Sequence, residues 1–448
     1  MEIHQLVFIR FRAGARKADG GFMRILLLGA GGFIGRHIMS DLLAAGHDVV
    51  GVIRPRQDLI VAFPAARFAA LDLAHMLRAE DWSGHLDGVD AVVNAAGVLR
   101  GRDMNMIHVD MPQALYEAAA RAEVKRAVLI SAISARPDVA TDYSLSKLSG
   151  EAVLRSSGVE WVILRPSLVY GDGSYGGTSL IRGMAGLPLA VPLPDSGDFT
   201  FSPIHVRDLA RAVRIACEGG IASCKTLEPA GPDTMSLKDI LARYRAWLGF
   251  GSSRFVHVPM PLMRLLGWIG DRAGDGPIST NSLVQMVAGN AGDGDAFVKA
   301  IGFTPRSLDD ALRDSPAQVQ DRWHARLFFL VPVLKAALLL MWLISAWMGL
   351  RHGAEQAKAF ADGIGLSSAW ADPLRIGSSL LDIAIAAHLL LARSAMRTAR
   401  VQLAVVLGYT VVIGLALPLQ WLDPLGSLIK NLPIMVAIAI YGVIGDKR

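Results

Sequence analysis

A chain of 448 residues is long enough for two or three folded domains, and its 52% of hydrophobic residues against 19% charged ones suggests that part of it lies in lipid. The formal net charge is only +5 and no run of Lys and Arg with interleaved aromatics occurs, so the sequence gives no basis for nucleic-acid binding. Its two cysteines, Cys217 and Cys224, have neither CxxC nor zinc-finger spacing, which predicts buried thiols in a reducing compartment and no metal site.

The first 22 residues, MEIHQLVFIRFRAGARKADGGF, are predicted to form an N-terminal tail. They lack the long apolar region and the small-residue cleavage site of a secretion signal. Because Met23 opens the first predicted strand abruptly, it is a candidate for the true start of translation, in which case the tail is not translated.

Residues 23–232 alternate short aliphatic runs with amphipathic stretches. The aliphatic runs are RILLLGA, HDVVGVI, RFAALDL, DAVVNAAG, AVLISAIS and WVILRPS. Continuous aliphatic strands of this kind are typical of a parallel sheet that is covered by helices on both faces. The sequence therefore predicts an α/β doubly wound Rossmann domain. The more irregular, helical stretch 233–316 predicts a small substrate-side lobe that is interleaved with it.

The composition changes beyond Arg326. Four apolar segments each approach the roughly 20 residues that cross a bilayer as a helix; they are 327–350, 376–392, 401–421 and 427–445. They predict an all-α membrane domain of four transmembrane helices over residues 327–448. For the second segment, which is short and carries Asp382 and His388, a buried helix pair of a soluble domain is the alternative.

The loops between these segments predict an orientation. RSAMRTAR, between the second and third segments, holds three arginines, and the chain ends in DKR. The positive-inside rule puts both in the cytoplasm, and with them the N-terminal domain, of a multi-pass protein in a bacterial-type inner membrane. Lys335, Asp382, His388 and Lys430 lie within or at the ends of the segments. They indicate either a proton or quinone path or a structural Lys/Asp pair with interface anchors.

The glycines of GAGGFIG fall at 29, 32 and 35, directly after a predicted strand and at the start of a predicted helix. In a dinucleotide-binding domain Gly29 would make the tight turn and Gly32 would let the backbone approach a pyrophosphate. Gly35 would let the helix pack closely on the sheet, with the diphosphate at the helix N-terminus. A glycine-rich turn without a ligand is the alternative.

The end of the second strand predicts which cofactor is used. HDVVGVI is followed by Arg54, Pro55 and Arg56, and no acidic residue stands there. At this position an acidic residue would bind the ribose 2′-hydroxyl of NAD(H), whereas an arginine would accept the 2′-phosphate of NADP(H). The sequence therefore favours NADP(H), unless these arginines belong to a solvated loop. Asp72, after the third strand, is placed to touch the adenine or to cap a helix.

A second group of residues is YSLSK, Tyr143 to Lys147. A tyrosine and a lysine four residues apart share one face of a helix, so the ammonium group can lie beside the phenol. A nearby positive charge lowers the pKa of a phenol, which makes it a usable proton donor or acceptor. Ser131 or Ser134, at the end of the preceding strand, could hold the reacting oxygen.

These residues resemble a known family. The motifs that carry the resemblance are GxxGxxG at 29–35, NAAG at 94–97, YxxxK at 143–147, LRPSLVYG at 164–171 and SPIHVRDLA at 202–210. They look like the extended and atypical short-chain dehydrogenase/reductases, which are NAD(P)-dependent epimerase/dehydratase-like proteins. Within that family the motifs most resemble the branch that includes the complex I accessory subunit-like proteins. This likeness covers residues 23–316. The C-terminal part, notably DPLGSLIKNLPIMVAIAI, is similar to DoxX-like membrane domains.

The resemblance implies roles for individual residues. Tyr143 would be the catalytic acid/base, and Lys147 would lower its pKa and bind the nicotinamide ribose. Ala132 and Ile133 occupy places where such relatives often carry the active serine, so the choice between Ser131 and Ser134 stays open, with Ser131 as the first choice for the catalytic serine. The predicted cofactor-binding residues are Gly29, Gly32, Phe33, Ile34, Gly35, Arg54, Asp72, Ala95, Ala96, Gly97, Tyr143, Lys147, Arg165 and Pro166.

Two classes of function fit these observations. The first is a membrane-anchored oxidoreductase that prefers NADP(H), with NAD(H) as the alternative, and moves a hydride to or from a carbonyl or alcohol carbon. Its substrate would be a lipid-like, isoprenoid or quinone-like small molecule, or else a nucleotide sugar as for an epimerase or dehydratase. The second class is a structural or regulatory NAD(P)-binding module without turnover, whose partner is a membrane complex or a second copy of the chain.

Overall fold

The computed structural model describes residues 22–54, 62–101, 103–273, 279–392, 394–424, 426 and 428–445. The expected tail 1–22, apart from Phe22, therefore lies outside the described residues, as do Pro55, Arg56, Arg393 and the terminal DKR. The chain divides into two compact units, Met1–Arg322 and Trp323–Arg448. Each unit is described by itself.

The first unit is built on a parallel sheet of seven strands, as the aliphatic runs predict. The strands are β1 (Arg24–Leu28), β2 (Asp48–Ile53), β3 (Arg67–Ala70), β4 (Ala91–Asn94), β5 (Arg126–Ile130), β6 (Trp161–Leu164) and β7 (Lys225–Leu227). Their order across the sheet is β7-β6-β5-β4-β1-β2-β3, and every neighbouring pair is parallel. The strand order reverses between β1 and β4. Doubly wound sheets bind their ligands at such a reversal, at the carboxyl ends of the strands.

Helices cover both faces of this sheet. They are α1 (Phe33–Ala44), α2 (Met111–Arg121, preceded by a π-helical turn Met106–Asp110), α3 (Asp142–Arg155) and α5 (Val206–Cys217), whereas α4 (Gly177–Ala185) packs on the helix Leu237–Trp247 of the smaller lobe. Alternate β1 residues point to opposite faces, so that Ile25 and Leu27 pack with α1 and α5 while Leu26 and Leu28 pack with α2. The two-sided burial explains why β1 reads as a continuous aliphatic run and confirms the predicted doubly wound fold.

The remaining helices of the first unit form the smaller lobe. They are α6 (Leu237–Trp247), α7 (Met260–Ala273), α8 (Thr280–Val287), α9 (Gly294–Ile301), α10 (Leu308–Asp314) and α11 (Val319–Leu327, which crosses the boundary between the units). The lobe takes in earlier segments than 233–316, since the strand Ala190–Pro194 pairs with Arg254–Val258 and Thr200–Phe201 pairs with Met235–Ser236. Val169–Tyr170 also pairs with Ile204–His205.

An ion pair ties this lobe to the Rossmann core. Asp208 of α5, from the SPIHVRDLA motif, accepts hydrogen bonds from the backbone N, Nε and Nη2 of Arg306, each 3.0 Å long. Of the two cysteines, Cys217 is buried as expected but Cys224 is exposed, because it lies in the turn before β7 rather than in the core.

The second unit contains the apolar helices α12 (Leu330–His352), α14 (Ala371–Leu391), α15 (Ala395–Ala416) and α16 (Asn431–Ile444), together with the more polar helix α13 (Ala354–Gly363). Among the described residues, three stretches are long and apolar enough to cross a bilayer: Leu330–His352, Ser368–Leu391 and Ala395–Ala416. The fourth predicted segment differs, because its helix has only 14 residues. At 1.5 Å per residue such a helix is shorter than the roughly 30 Å hydrocarbon core.

The helices of the second unit share a few buried polar contacts. Asp382 is buried, and its carboxylate accepts hydrogen bonds from Ser345 Oγ (2.7 Å) and from the Tyr409 hydroxyl (3.2 Å). Nε1 of Trp342 donates to Oε1 of the fully buried Gln402 over 2.8 Å. Lys430 is exposed directly before α16, as expected for a residue at a helix end.

Candidate active site

The glycine-rich turn joins β1 to α1. Gly29 has φ +73°, the left-handed region that side chains rarely adopt, and a Cβ there would lie 2.7 Å from the carbonyl oxygen of Ala95. A Cβ on Gly35 would lie 2.1 Å from the carbonyl oxygen of Gly29. The local geometry therefore explains why glycine occupies both positions: the first makes the tight turn, and the second lets α1 pack against it.

Gly32 lies at the N-terminal end of α1, where it is exposed and in an extended conformation. No side chain caps this end within the described part of the chain, and no acidic residue lies in the first turn. The backbone N–H groups of a helix's first turn point outwards and carry a partial positive charge, which favours an anion. The amides of Phe33 and Ile34 belong to this turn, which fits the diphosphate of a dinucleotide.

Two residues expected beside the adenosine half of the cofactor lie at neighbouring strand ends. Arg54 follows β2 and is exposed, whereas Pro55 and Arg56 lie outside the described residues. Asp72 follows β3, and its carboxylate accepts a hydrogen bond from the backbone N of Ala74 (3.2 Å) and pairs with His75. Of the two roles considered for Asp72, the helix cap is the one its contacts show.

The NAAG motif forms the end of β4. The Asn94 amide is buried, accepts a hydrogen bond from the backbone N of Ala96 (3.1 Å) and donates one to the Tyr116 hydroxyl (3.3 Å). These contacts fix the bend that follows the strand. Gly97, at the end of the motif, is exposed, and a Cβ on it would lie 3.1 Å from Nζ of Lys147. The bend after β4 therefore lies directly against the lysine of the YxxxK motif.

Tyr143 and Lys147 both lie on α3. The helix starts where Oγ1 of Thr141 accepts a hydrogen bond from the backbone N of Ser144 (3.1 Å). The Lys147 side chain is buried, and its Nζ donates to the carbonyl oxygen of Ile130, the last residue of β5, over 3.2 Å. This contact holds the ammonium group at the carboxyl ends of β4 and β5, the edge at which β1 meets the glycine-rich turn.

Burial sets the protonation of both residues. It lowers the pKa of Lys147 to about 8, with the Glu151 carboxylate acting in the opposite direction. It raises the pKa of Tyr143 to about 12, so the expected lowering of this pKa by Lys147 is not seen in the structure. At neutral pH the lysine is therefore mostly an ammonium ion and the tyrosine is a protonated phenol.

His108, in the π-helical turn before α2, is a site residue that sequence reasoning missed. Its Nε2 accepts a hydrogen bond from the backbone N of Val98 (3.1 Å), so Nδ1 carries the proton and donates to Ser146 Oγ (2.9 Å). Its ring also contacts the Tyr143 ring edge-to-face, with centroids 5.7 Å apart. Burial, with a smaller effect of Lys147, lowers the pKa of His108 to about 3 and keeps it neutral. No sequence motif around His108 predicts its contacts with Tyr143 and Ser146, which are distant in the chain.

The two serines after β5 differ in their partners. Ser131 Oγ donates to the Glu151 carboxylate over 2.6 Å. Ser134 is equally buried, but its Oγ has no hydrogen-bond partner among the described residues. A buried hydroxyl without a partner is costly unless a ligand supplies one. Ser134 is therefore the better candidate for contacting a substrate, whereas Ser131 was the first choice from the sequence.

Arg165 does not have a free side chain for the cofactor. Its Nε and Nη2 donate to the two Glu151 oxygens over 2.8 and 2.6 Å. Arg155 also donates to Glu151, which is fully buried, so this carboxylate holds two arginines and Ser131. Pro166 is buried and its carbonyl oxygen accepts from the backbone N of Ile133 (3.1 Å). Arg165 and Pro166 thus hold the strand ends together beneath the site.

No group of three or more His, Cys, Asp or Glu in the described residues could hold a metal ion. The glycine turn, the bend after β4 and the start of α3 all lie at the carboxyl edge of the sheet.

Comparison with known proteins agrees with the two-unit architecture. Residues 29–185 match the family model described as NAD(P)H-binding, and residues 339–439 match the DoxX-like family. The chain is 26% identical over 260 residues to a ceramide reductase of Caulobacter vibrioides, covering 55% of this chain and 77% of that protein. It is also 26% identical over 290 residues to the mitochondrial NADH dehydrogenase [ubiquinone] 1 alpha subcomplex subunit 9 of Rattus norvegicus, covering 62% of this chain and 73% of that protein.

Among solved structures, UDP-N-acetylglucosamine 4-epimerase from Bacillus cereus shares the fold with a TM-score of 0.50 at 16% identity. The match covers 65% of this chain and 95% of the epimerase. The identity is too low to carry an activity from one protein to the other, so the likeness concerns the fold alone.

Proposed function

We propose that this chain, in which an NAD(P)H-binding Rossmann domain precedes a DoxX-like membrane region, is a membrane-bound NADPH-dependent reductase of a carbonyl group on a lipid-like substrate. The observation that carries the proposal is the meeting of Lys147 with the ends of β4 and β5, at the same sheet edge as the glycine turn. When bound, the nicotinamide supplies the hydride that adds to the carbonyl carbon.

The protein's own residues handle the proton and the geometry. Tyr143 gives its phenolic proton to the carbonyl oxygen as the alcohol forms, and Lys147 stabilises the phenolate left behind. Because the pKa of Tyr143 is raised to about 12, the phenol is a proton donor at neutral pH. This protonation state is the one that reduction of a carbonyl requires.

The membrane region supports a lipid-like substrate. Three apolar stretches long enough to cross a bilayer hold the catalytic domain at a lipid surface, where a lipid carbonyl is concentrated. The resemblance to a ceramide reductase supports the same class of substrate. Isoprenoid and quinone carbonyls belong to this class, whereas a nucleotide sugar, suggested by the shared epimerase fold, has no need of a membrane region.

The direct test uses the full chain in lipid nanodiscs with NADPH that carries deuterium at C4 of the nicotinamide. We expect deuterium to appear on the alcohol carbon of a 3-keto sphingoid base or another keto-lipid, and we expect no transfer to UDP-4-keto-sugars. Transfer to the keto-sugar alone would replace the proposed substrate class. Tight NADPH binding with no transfer to any member of the panel would contradict a reductase.

Arg54 supports the preference for NADPH. It is exposed directly after β2, where the 2′-phosphate of the adenosine ribose would lie. We expect Arg54→Ala to weaken NADPH binding about 10- to 100-fold, since a hydrogen bond to a charged group contributes about 1.5–3 kcal/mol. NADH binding should stay within about twofold of that of the unmodified protein. Calorimetric titration with both cofactors measures these affinities. An equal loss of affinity for NADPH and NADH would contradict a contact between Arg54 and the 2′-phosphate.

The two serines after β5 give a second prediction. We expect Ser134→Ala to lower kcat about 100-fold, the scale of losing one hydrogen bond to a developing oxyanion, with little change in thermal unfolding. Ser131→Ala should instead lower the free energy of unfolding by about 1–3 kcal/mol, because it takes a donor from buried Glu151, and should leave kcat nearly unchanged. The opposite pattern would return the catalytic role to Ser131.

A binding module without turnover is the rival, and one contact favours it. The Ser131 hydroxyl is held by Glu151, which removes one of the two serines available to a substrate. The likeness to a complex I subunit points the same way and suggests a membrane-complex partner. This rival expects tightly held NADPH, a partner that copurifies and no deuterium transfer.

We also propose that the Rossmann domain faces the cytoplasm of a bacterial-type inner membrane. Arg397 and Arg400 lie at the start of α15, beside the three-residue connection from α14, and both are exposed. Positive residues at the ends of membrane helices favour the cytoplasmic side. Protease accessibility in oriented membrane vesicles checks this orientation.

A further inference from the structure

Helix α7 in the smaller lobe carries an apolar stripe on its exposed surface. Leu262, Leu265, Leu266 and Ile269 follow the i, i+3, i+4, i+7 spacing of one helix face, and Trp268 adjoins them. Each of these five side chains is between 42 and 51% exposed. Scattered apolar residues are ordinary on a surface, but a contiguous stripe usually marks a membrane or protein contact.

The opposite side of α7 packs against the rest of the lobe. Gly267 is buried, and a Cβ on it would lie 3.1 Å from the backbone N of Thr280 at the start of α8. The helix therefore packs closely on α8 through its glycine and turns the stripe away from the lobe. On α8 itself, Val284 and Val287 are also exposed and extend the apolar surface.

The α7–α8 pair is joined to the substrate side of the candidate site. The residues after α8 accept hydrogen bonds from Nη2 of Arg136, at the carbonyl oxygens of Ala288 (3.3 Å) and Gly289 (3.4 Å). Arg136 lies two residues beyond Ser134, in the same loop after β5. The apolar surface thus belongs to the part of the lobe that borders the loop of the unpaired serine.

The charges around the stripe fit a lipid surface. Arg264 and Arg272 are exposed on α7, and the Arg272 guanidinium stacks 3.6 Å from the centre of the Trp268 ring. The acidic residue Asp271 is turned towards α8, where it accepts a hydrogen bond from the backbone N of Thr280 (3.2 Å). Tryptophan and arginine beside an apolar stripe are typical of helices that lie in the interface of an anionic bilayer.

We propose that α7 lies in the lipid–water interface, with its stripe among the acyl chains and its arginines at the headgroups of anionic lipid. The bilayer is the favoured occupant because the same chain holds three stretches long and apolar enough to cross a membrane, and insertion of these stretches would raise the effective concentration of lipid for the lobe. The lobe would then draw a lipid substrate from the membrane directly. The docking itself depends on the membrane region and not on the proposed reduction.

Spin labelling of the full chain tests this contact. The background is Cys224→Ser, which removes the exposed native thiol. A nitroxide label is attached to the cysteine of Leu265→Cys or Ile269→Cys, and for comparison to that of Lys299→Cys, an exposed position on α9. The protein is placed in nanodiscs of phosphatidylcholine and phosphatidylglycerol. We expect the ratio of oxygen to nickel-chelate collisions to be severalfold higher at the two stripe sites than at position 299.

Two outcomes would overturn the proposal. A ratio at the stripe equal to that at position 299 would mean that α7 faces water. Protection from both reagents, in nanodiscs and in detergent alike, would mean that protein covers the stripe, from a second copy or from the chain's own helices. If the cysteine variants fail to fold by circular dichroism, brominated lipid gives the same answer. Trp268→Phe should then remove part of the tryptophan emission that this lipid quenches, and an unchanged quenched fraction would contradict the contact.

Discussion

Replacing Tyr143 by Phe should lower kcat about 10²- to 10⁴-fold while leaving NADPH binding nearly unchanged. The variant removes a single hydroxyl from a partly buried ring, and general acid catalysis contributes rate enhancements of this size. Because the proposed proton transfer follows cofactor binding, the loss should appear in kcat rather than in cofactor affinity. Single-turnover oxidation of bound NADPH by the substrate, followed by absorbance, gives the measurement.

Tyr175→Phe is the matched control, since it removes the hydroxyl of an exposed tyrosine in the same domain. It should retain the kcat of the unmodified enzyme. A Tyr143→Phe enzyme with full turnover would mean that another group supplies the proton. His108 is unsuited to that task, because its pKa is lowered to about 3 and its ring nitrogens are already bonded to Val98 and Ser146.

The pH profile tests the lysine beside Tyr143. With the pKa of Lys147 lowered to about 8, its ammonium form declines above that pH, and kcat/KM should fall with it. Stability should move in the other direction. Between pH 8 and the unperturbed value near 10.5, the unfolded chain binds more protons at this residue than the folded chain, so the contribution of Lys147 to stability rises with pH. A loss of activity above pH 8 would therefore not result from unfolding through this group.

Replacing Glu151 by Ala should give the largest loss of stability. Glu151 is fully buried and accepts hydrogen bonds from Arg165, Arg155 and Ser131, so its removal leaves partly buried arginines without their carboxylate. Breaking a buried ion pair in this way costs about 3–5 kcal/mol. For a domain of this size the unfolding temperature should fall by on the order of 10 °C. Thermal unfolding in detergent, followed by circular dichroism, measures it.

Glu117→Ala provides the comparison for this variant. Glu117 on α2 pairs with Arg121 four residues later, but both side chains are more than half exposed, and exposed pairs contribute about 1 kcal/mol or less. If Glu151→Ala unfolds at the same temperature as Glu117→Ala, the buried carboxylate does not hold the strand ends together. The assignment of Ser131 to a structural role would then fail as well.

The sequence predicts the Rossmann fold well because its signals are local. The run from Arg24 to Leu28 is aliphatic since both faces of β1 are buried, and the glycines at 29 and 35 sit where a Cβ would strike backbone. β7 was not predicted from the sequence, because three residues are too few for a strand pattern to be recognised. The last membrane segment was predicted too long, because its apolar composition extends over turns on the N-terminal side of α16 that are not helical.

The candidate site is harder to predict because its contacts join distant segments. Glu151 follows Lys147 by one helical turn, yet nothing in the sequence pairs it with Ser131 and Arg165. His108 meets Tyr143 because the π-helical turn before α2 packs on α3. The spacing of YxxxK predicts that its two residues share a helix face, but their pKa values depend on how deeply the fold buries them. The roles of Tyr143 and Lys147 stay predictions.

The two edge strands of the sheet determine whether neighbouring copies of the protein in a membrane can associate through their sheets. A sheet edge exposes unpaired backbone groups to which another chain can add a strand, and confinement to a surface brings copies together. Here both borders are short: β3 has four residues and β7 has three. Such short borders offer few hydrogen bonds to an incoming strand. Crowded copies should therefore remain separate instead of fusing into fibrils.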